Sequence, residues 1–348
     1  MKKILKIFTT NILILILGII ILEIIFGNWL KNSNYGSLLI PKKQINVIKS
    51  FPYKSNEIGI YSRDKDGFRA NEYELENIEI LVIGGSTTEE REVDDNKIWT
   101  KIFEKNLNTN LKVLNAGIGG QTSYGHKLMF NLWFNKYENL SPKYIIVYLG
   151  INDALFLLEN YRDNNFSFEG RNLNLSNRDT LQNVLLKDRL IQYVKNNSAL
   201  HTLYLIVRGN YISRKHKFGY NTSPTNFKPF RSAAPKNISM NNESINQYKK
   251  YYYDNLKKIY EFTVSYDSDL ILVTQIVSDK HWLQDNLKII NKLTTNFCII
   301  EEVYCIDLSK ESIKINDKEF YDGIHTTPKG SEIIGKYIAD KFNTLFLD

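Results

Sequence analysis

Ser86, Gly120, Asn152 and the pair Asp322 and His325 are the residues of this chain whose types and spacing could do nucleophilic chemistry. Ser86 follows Ile80-Leu-Val-Ile-Gly-Gly, where apolar, β-branched residues predict a buried strand and two glycines a sharp turn. A hydroxyl at the carboxyl end of a strand sits where open α/β sheets place their chemistry, although a serine there could equally cap the next helix. Gly120 closes the run Gly117-Ile-Gly-Gly120, a cluster that either brings free amides up to a ligand or simply turns the chain. Asn152 and Asp153 end the apolar stretch Ile145-Ile-Val-Tyr-Leu-Gly-Ile, and Asp322 precedes His325 by three residues near the chain end. Strand-end serine, glycine amide, asparagine amide and an Asp/His pair are the parts of acyl transfer through a serine nucleophile. A serine hydroxyl needs a base, and His325 is the histidine with a carboxylate beside it in the local sequence. Asn152 could donate to an oxyanion or support its own loop, and Asp153 is expected to fix that loop.

These four segments, in this order, resemble the four motif blocks of the SGNH, or GDSL-like, hydrolases, and Gly67-Phe-Arg69 resembles a segment of the family's membrane-anchored branch. The resemblance runs over about residues 60 to 347 and implies a three-layer α/β/α, flavodoxin-like fold. It implies a Ser86, His325, Asp322 triad and an oxyanion hole from the Ser86 amide, the Gly120 amide and the Asn152 side chain. One departure stands out: the family's Gly-Asp-Ser is Gly84-Gly85-Ser86 here, so a side chain that braces the nucleophile turn is missing. Arg69 could meet an anionic substrate group or form a structural salt bridge. Gln275, at the end of Leu270-Ile-Leu-Val-Thr-Gln-Ile276, could shape a substrate pocket or bond a loop backbone.

Positioning these residues requires alternating strands and helices, and the pattern predicts about five parallel strands covered on both faces. Strands are expected at Ile80, at Leu111 to Asn115, at Ile145, at Leu270 to Ile276 and at Val303 to Leu308. Helices are expected at Ile98 to Leu107, Gly125 to Tyr137, Tyr248 to Thr263 and Pro328 to Leu345, with His126 on a surface or pocket rim. Ahead of this domain, Ile7 to Phe26 is nearly all apolar and can span a bilayer core of roughly 30 Å. Lys2, Lys3 and Lys6 favour a cytoplasmic amino terminus, which sends the remainder outward. A cleaved signal peptide is the competing reading, but no small-residue cleavage pattern follows. The expected organisation is an anchor at 1–30, a membrane-proximal connector at 31–60 and a catalytic domain at 61–348, with an insertion at about 155–247.

The 348 residues, 43% of them hydrophobic, suffice for one substantial core. A net charge of +7 spread along the chain fits an anionic partner or surface and does not by itself suggest nucleic acid; the basic and aromatic residues from Arg208 to Lys217 could mark nucleic-acid or anionic-glycan binding, but a solvated loop or a membrane-facing surface is the expected reading. No His/Cys/Glu set has metal-ligand spacing, and Gly84-Gly85 does not continue into a phosphate loop, so neither metal nor cofactor is expected. Cys298 and Cys305 read as two unpaired core thiols, with pairing open to them in an oxidising compartment. The expected function is a membrane-anchored serine esterase that removes an acyl group, acetyl among the candidates, from a cell-surface glycan or lipid. An acyltransferase using the same acyl-serine, or a non-catalytic glycan-binding scaffold, would carry the same framework.

Overall fold

The computed structural model describes residues 2–27, 29, 44–50, 53, 59–157, 194, 197–201, 203, 204, 207, 222–226, 242–308 and 313–347. Most of the 31–60 connector and of the 155–247 insertion expected from the sequence lies outside the described residues. The chain divides into two compact units, Met1–Asn34 with Gln182–Ser223, and Tyr35–Leu181 with Pro224–Asp348. That part of the insertion belongs with the amino-terminal helix was not legible in the sequence.

The larger unit is built on five parallel strands, β3 (Ile80–Gly84), β4 (Val113–Asn115), β5 (Tyr144–Tyr148), β7 (Asp269–Val273) and β8 (Tyr304–Ile306), in the order β4-β3-β5-β7-β8. An antiparallel pair, β1 (Gln44–Ser50) and β2 (Gly59–Arg63), precedes them, and a short strand β6 (Thr222–Asn226) lies between β5 and β7 in sequence. Side chains alternate across a strand, so each one feeds two cores. Leu81, Ile83, Ile145, Val147, Leu270 and Leu272 face one way, under α4 (Ser123–Leu132), α6 (Asn242–Ser265) and α7 (Gln284–Ile300). Ile80, Val82, Ile146, Tyr148, Ile271 and Val273 face the other way, under α3 (Trp99–Lys105) and α8 (Pro328–Phe346). Burial on both faces is why these strands read as unbroken apolar runs, and the architecture is the three-layer α/β/α arrangement anticipated.

Sheet order explains where chemistry can sit. From β3 the chain moves outward to β4 and then returns past β3 to β5, so the winding direction reverses between β3 and β5. A crevice opens at the carboxyl ends of strands at such a reversal. Ser86 opens a short helix α2 (Ser86–Glu89) directly after β3, and Asn152 lies in α5 (Ile151–Ala154) directly after β5.

Several local expectations are corrected. Cys298, in the last turn of α7, and Cys305, in β8, are bonded as a disulfide with Cα atoms 6.0 Å apart, so they are not a pair of free thiols. The chain reverses between them through Glu302, at φ 53°, and that return brings the two Cα atoms into bridging range. His126 is not at a rim: it is 1% exposed, its Nδ1 has no hydrogen-bond partner, and burial pushes its pKa down to about 3. The helix expected to run to Tyr137 ends at Leu132, followed by a 3-10 turn at Phe134–Lys136. There Trp133 stacks on Phe68 with ring centroids 4.6 Å apart, and its Nε1 donates to the Asp66 carbonyl.

In the smaller unit α1 (Lys2–Phe26) is a 25-residue helix whose best window has a mean hydropathy of 2.5, with none of that window buried. At about 1.5 Å per residue it is long enough to cross a membrane.

Candidate active site

The turn after residue 320 folds back on itself. The Asp322 carboxylate accepts from the Ile324 and His325 amides at 2.9 and 2.7 Å, and Gly323 takes φ 90°. That turn aims the imidazole. His325 Nδ1 lies 2.7 Å from Asp322 Oδ2, and His325 Nε2 lies 2.7 Å from Ser86 Oγ. The Tyr321 ring stacks on His325 with centroids 5.7 Å apart, while its hydroxyl donates to Glu92 at 2.7 Å. Burial works against the charged forms of both partners, yet the His325 contact holds Asp322 below the usual carboxylate range. The Asp322 hydrogen bond and charge, with Glu92 and Glu89 behind, raise His325 above its ordinary value. A hydroxyl, imidazole and carboxylate in one hydrogen-bonded line can pass the hydroxyl proton to the imidazole as the oxygen attacks.

On the other side of Ser86 lie the donors a developing oxyanion would need. Among the described residues, neither the Ser86 nor the Gly120 amide donates to a protein acceptor. Gly120 sits at φ 80°, which favours glycine. Gly119 packs against the nucleophile, since a Cβ there would stand 3.6 Å from Ser86 Cβ. Asn152 Nδ2 donates to the Gln121 carbonyl at 2.8 Å, which uses one of its two amide hydrogens and leaves the other for a ligand. Behind it the fully buried Asp153 accepts from the Ser123 amide and hydroxyl and from Tyr248, so it ties the start of α4 to α5 and α6. Burial pushes the Asp153 carboxyl up to about 6.

Gly85 stands where the family carries the bracing side chain, and a Cβ there would come within 2.9 Å of Asn152 Nδ2. Support comes instead from residues that the sequence did not single out. The Glu89 carboxylate, three residues after Ser86, accepts from the Gly119 amide and the Tyr61 hydroxyl at 2.7 Å each and pairs with Arg63 at 3.0 Å. Arg63 is 2% exposed and also donates to the Gly117 carbonyl at 2.7 Å. Burial would raise the Glu89 carboxyl, but the Arg63 charge keeps it low and therefore ionised. Nucleophile helix and glycine turn are thereby held to one buried ion pair. Glu89 opens the acidic run Glu89 to Asp95, so nothing local marks it out, and its arginine partner is far away in the chain.

Two further sequence candidates make contacts within the fold. Gln275 is 1% exposed; its Nε2 donates to Thr87 Oγ1 at 2.9 Å and its Oε1 accepts from the Ile151 amide at 3.2 Å. It joins the β3 and β5 turns. Arg69, 1% exposed, pairs with Asp95, donates to the Glu89 and Val93 carbonyls and lies over the Tyr61 ring. Among the described residues no group of His, Cys, Asp and Glu has a metal-binding arrangement.

A parallel α/β sheet with a serine, a histidine and an aspartate gathered at its winding reversal defines the class of α/β serine hydrolases. A family profile described as GDSL-like lipase/acylhydrolase matches residues 80–338, and the chain belongs to that family. It is accordingly a serine ester hydrolase. Similar solved structures include Est24, a carbohydrate acetylesterase from Sinorhizobium meliloti, at 11% identity over 77% of this chain and 100% of that one, with a TM-score of 0.43. The psychrotrophic esterase EstA from Pseudoalteromonas sp. matches at 12% identity over 77% and 98%, with a TM-score of 0.41. A GDSL-like lipase from Bacteroides thetaiotaomicron VPI-5482 matches at 14% over 79% and 93%, also with a TM-score of 0.41. In sequence, the chain is 36% identical over 75 residues to the uncharacterized lipoprotein YqeF of Bacillus subtilis (strain 168), a match spanning 22% of this chain and 30% of that relative.

Proposed function

We propose that the chain is a membrane-anchored, outward-facing esterase that cleaves acyl esters on a cell-surface glycan or lipid, acetyl esters among them. Ser86 Oγ attacks the ester carbonyl while His325 Nε2 takes its proton. Asp322 accepts from Nδ1–H, keeping the basic lone pair on Nε2 and stabilising the imidazolium. Charge on the former carbonyl oxygen is met by the Ser86 and Gly120 amides and the free Asn152 amide hydrogen. Imidazolium returns the proton to the leaving alkoxide, and water then repeats the sequence on the acyl-serine.

The observation that carries this reading is the continuous line Asp322, His325, Ser86, with 2.7 Å at each junction. Attachment to a membrane rests on the length and apolarity of α1 and on the lysines before it. The Cys298–Cys305 disulfide supports an oxidising, extracytoplasmic setting for the catalytic unit. Fluorophosphonate labelling tests the site. Wild type is expected to be labelled on Ser86, Ser86→Ala to lose label and ester hydrolysis together, and His325→Ala to lose both while remaining folded. Label that persists in Ser86→Ala on another serine overturns the assignment, and a panel of acyl esters and acylated oligosaccharides then ranks substrates.

A further inference from the structure

Near its carboxyl end the apolar helix α1 carries one carboxylate, Glu23. A charge in a membrane span is costly unless donors surround it, and here four do. Glu23 accepts from Ser198 Oγ at 2.7 Å and from the Ala199 and Leu200 amides at 2.8 and 3.1 Å. Trp29 Nε1 adds a fourth bond at 2.7 Å. Ser198 also accepts from the His201 amide at 3.1 Å, so this is the capped start of a second helical stretch, in which 199–201, 203, 204 and 207 are described as helical. A carboxylate at the amino-terminal end of a helix is favoured by the helix dipole as well as by its free amides. Glu23 thus fastens this stretch to the end of α1.

Leu200, Leu203, Tyr204 and Val207 follow the spacing i, i+3, i+4, i+7 and form one helical face. They are 41%, 54%, 57% and 60% exposed. In a water-soluble protein such a face is turned to the core; among the described residues this one is left exposed, as is α1. In sequence, Arg208, Arg214, Lys215 and Lys217 follow within ten residues, a charge pattern suited to anionic headgroups.

We infer that the helical residues 199–201, 203, 204 and 207 make a second membrane contact, the Leu200, Leu203, Tyr204 and Val207 side chains set in the acyl chains of the leaflet from which α1 emerges and held at that depth by the Glu23 clamp. This rests on the reading of α1 as a membrane span. The occupant is lipid because the bare face is tied, at a fixed point, to a helix that is itself apolar all round.

The test uses the full chain in vesicles of phosphatidylcholine and phosphatidylglycerol, with acyl chains spin-labelled near the headgroup or near the bilayer centre. Leu203→Cys and Leu13→Cys are each labelled with an environment-sensitive fluorophore, and unsubstituted protein sets the background. The expected result is a blue-shifted Leu203→Cys probe quenched by the shallow spin label and a Leu13→Cys probe quenched by the deep one. Quenching at Leu13→Cys but not at Leu203→Cys overturns the second contact and leaves the span standing. A blue-shifted but unquenched probe at 203 means that protein covers the face, and also overturns it. Quenching at neither position removes the span and this inference together. Glu23→Ala is expected to abolish quenching at 203 and preserve it at 13; unchanged quenching at 203 overturns the clamp.

Discussion

His325 is held by one carboxylate directly and by a second through an aromatic ring: Asp322 on Nδ1, and Glu92 through the Tyr321 hydroxyl and its stacked ring. Because the Asp322 contact raises the folded imidazole above the ordinary histidine value, its basic form is lost as the pH falls through that raised value. kcat/KM is therefore expected to decline on the acid side with a midpoint above that of an ordinary histidine, read from initial rates across pH. Asp322→Asn removes the main raising influence, so the midpoint should move down while kcat drops by about three to four orders of magnitude. Glu89 gives a separate prediction. Glu89→Ala frees the Gly119 amide and strands the buried Arg63, and is expected to lower kcat by about tenfold or more with little change in KM. It should also destabilise the fold by about 3 kcal/mol in denaturant unfolding. Glu89→Gln keeps an acceptor for Gly119 and should recover part of kcat while remaining less stable than wild type. A rise confined to KM would remove Glu89 from the support of the glycine turn.

At the scale of elements, the central strands were the legible part. A parallel strand buried on both faces must be apolar at every position, so β3, β5 and β7 announce themselves. The site motifs were legible for a related reason: each sits in the few residues after a strand, where turn chemistry is local. The bracing was not. Glu89, Glu90 and Glu92 belong to a run that reads as a solvated face, yet Arg63, Thr326 and Tyr321, distant in sequence, bring all three inside. Burial pushes Glu90 up to about 7. His126 was misread because one histidine between Gly125 and Lys127 has no pattern to place it. The disulfide was illegible because its closeness depends on how β8 returns along α7. Intact mass after alkylation without reductant should show no adduct on Cys298 or Cys305. Cys298→Ser should lower stability by about 2 kcal/mol in denaturant titration, the value expected for closing a short loop. Alkylation of both thiols in the native, unreduced chain would remove the bond.

For the molecule as a whole, the attachment is expected to be integral and to reside in α1. Membranes bearing the full chain should retain it through alkaline carbonate, whereas a chain lacking residues 1–26 should be extracted, its amphipathic stretch giving only peripheral contact. Retention of the shortened chain after carbonate would move the integral anchor elsewhere. The two-segment composition of the smaller unit lay beyond sequence reading. Glu23 looks like an interruption in an apolar run until Ser198, 175 positions later, is set beside it.

That separation is also an interval of time. On the proposed topology α1 is delivered well before Ser198, with a carboxylate whose partners have not yet been made. At a synthesis rate of about 5–20 residues per second, Ser198 follows roughly nine to thirty-five seconds later. Through that interval the β3, β4 and β5 strands emerge and can begin to pair, while Glu23 must draw on water or headgroups for its hydrogen bonds. On the proposed anchoring, the clamp is therefore a late event in biogenesis, closing only after the strands of the sheet that lie between its two halves have been made.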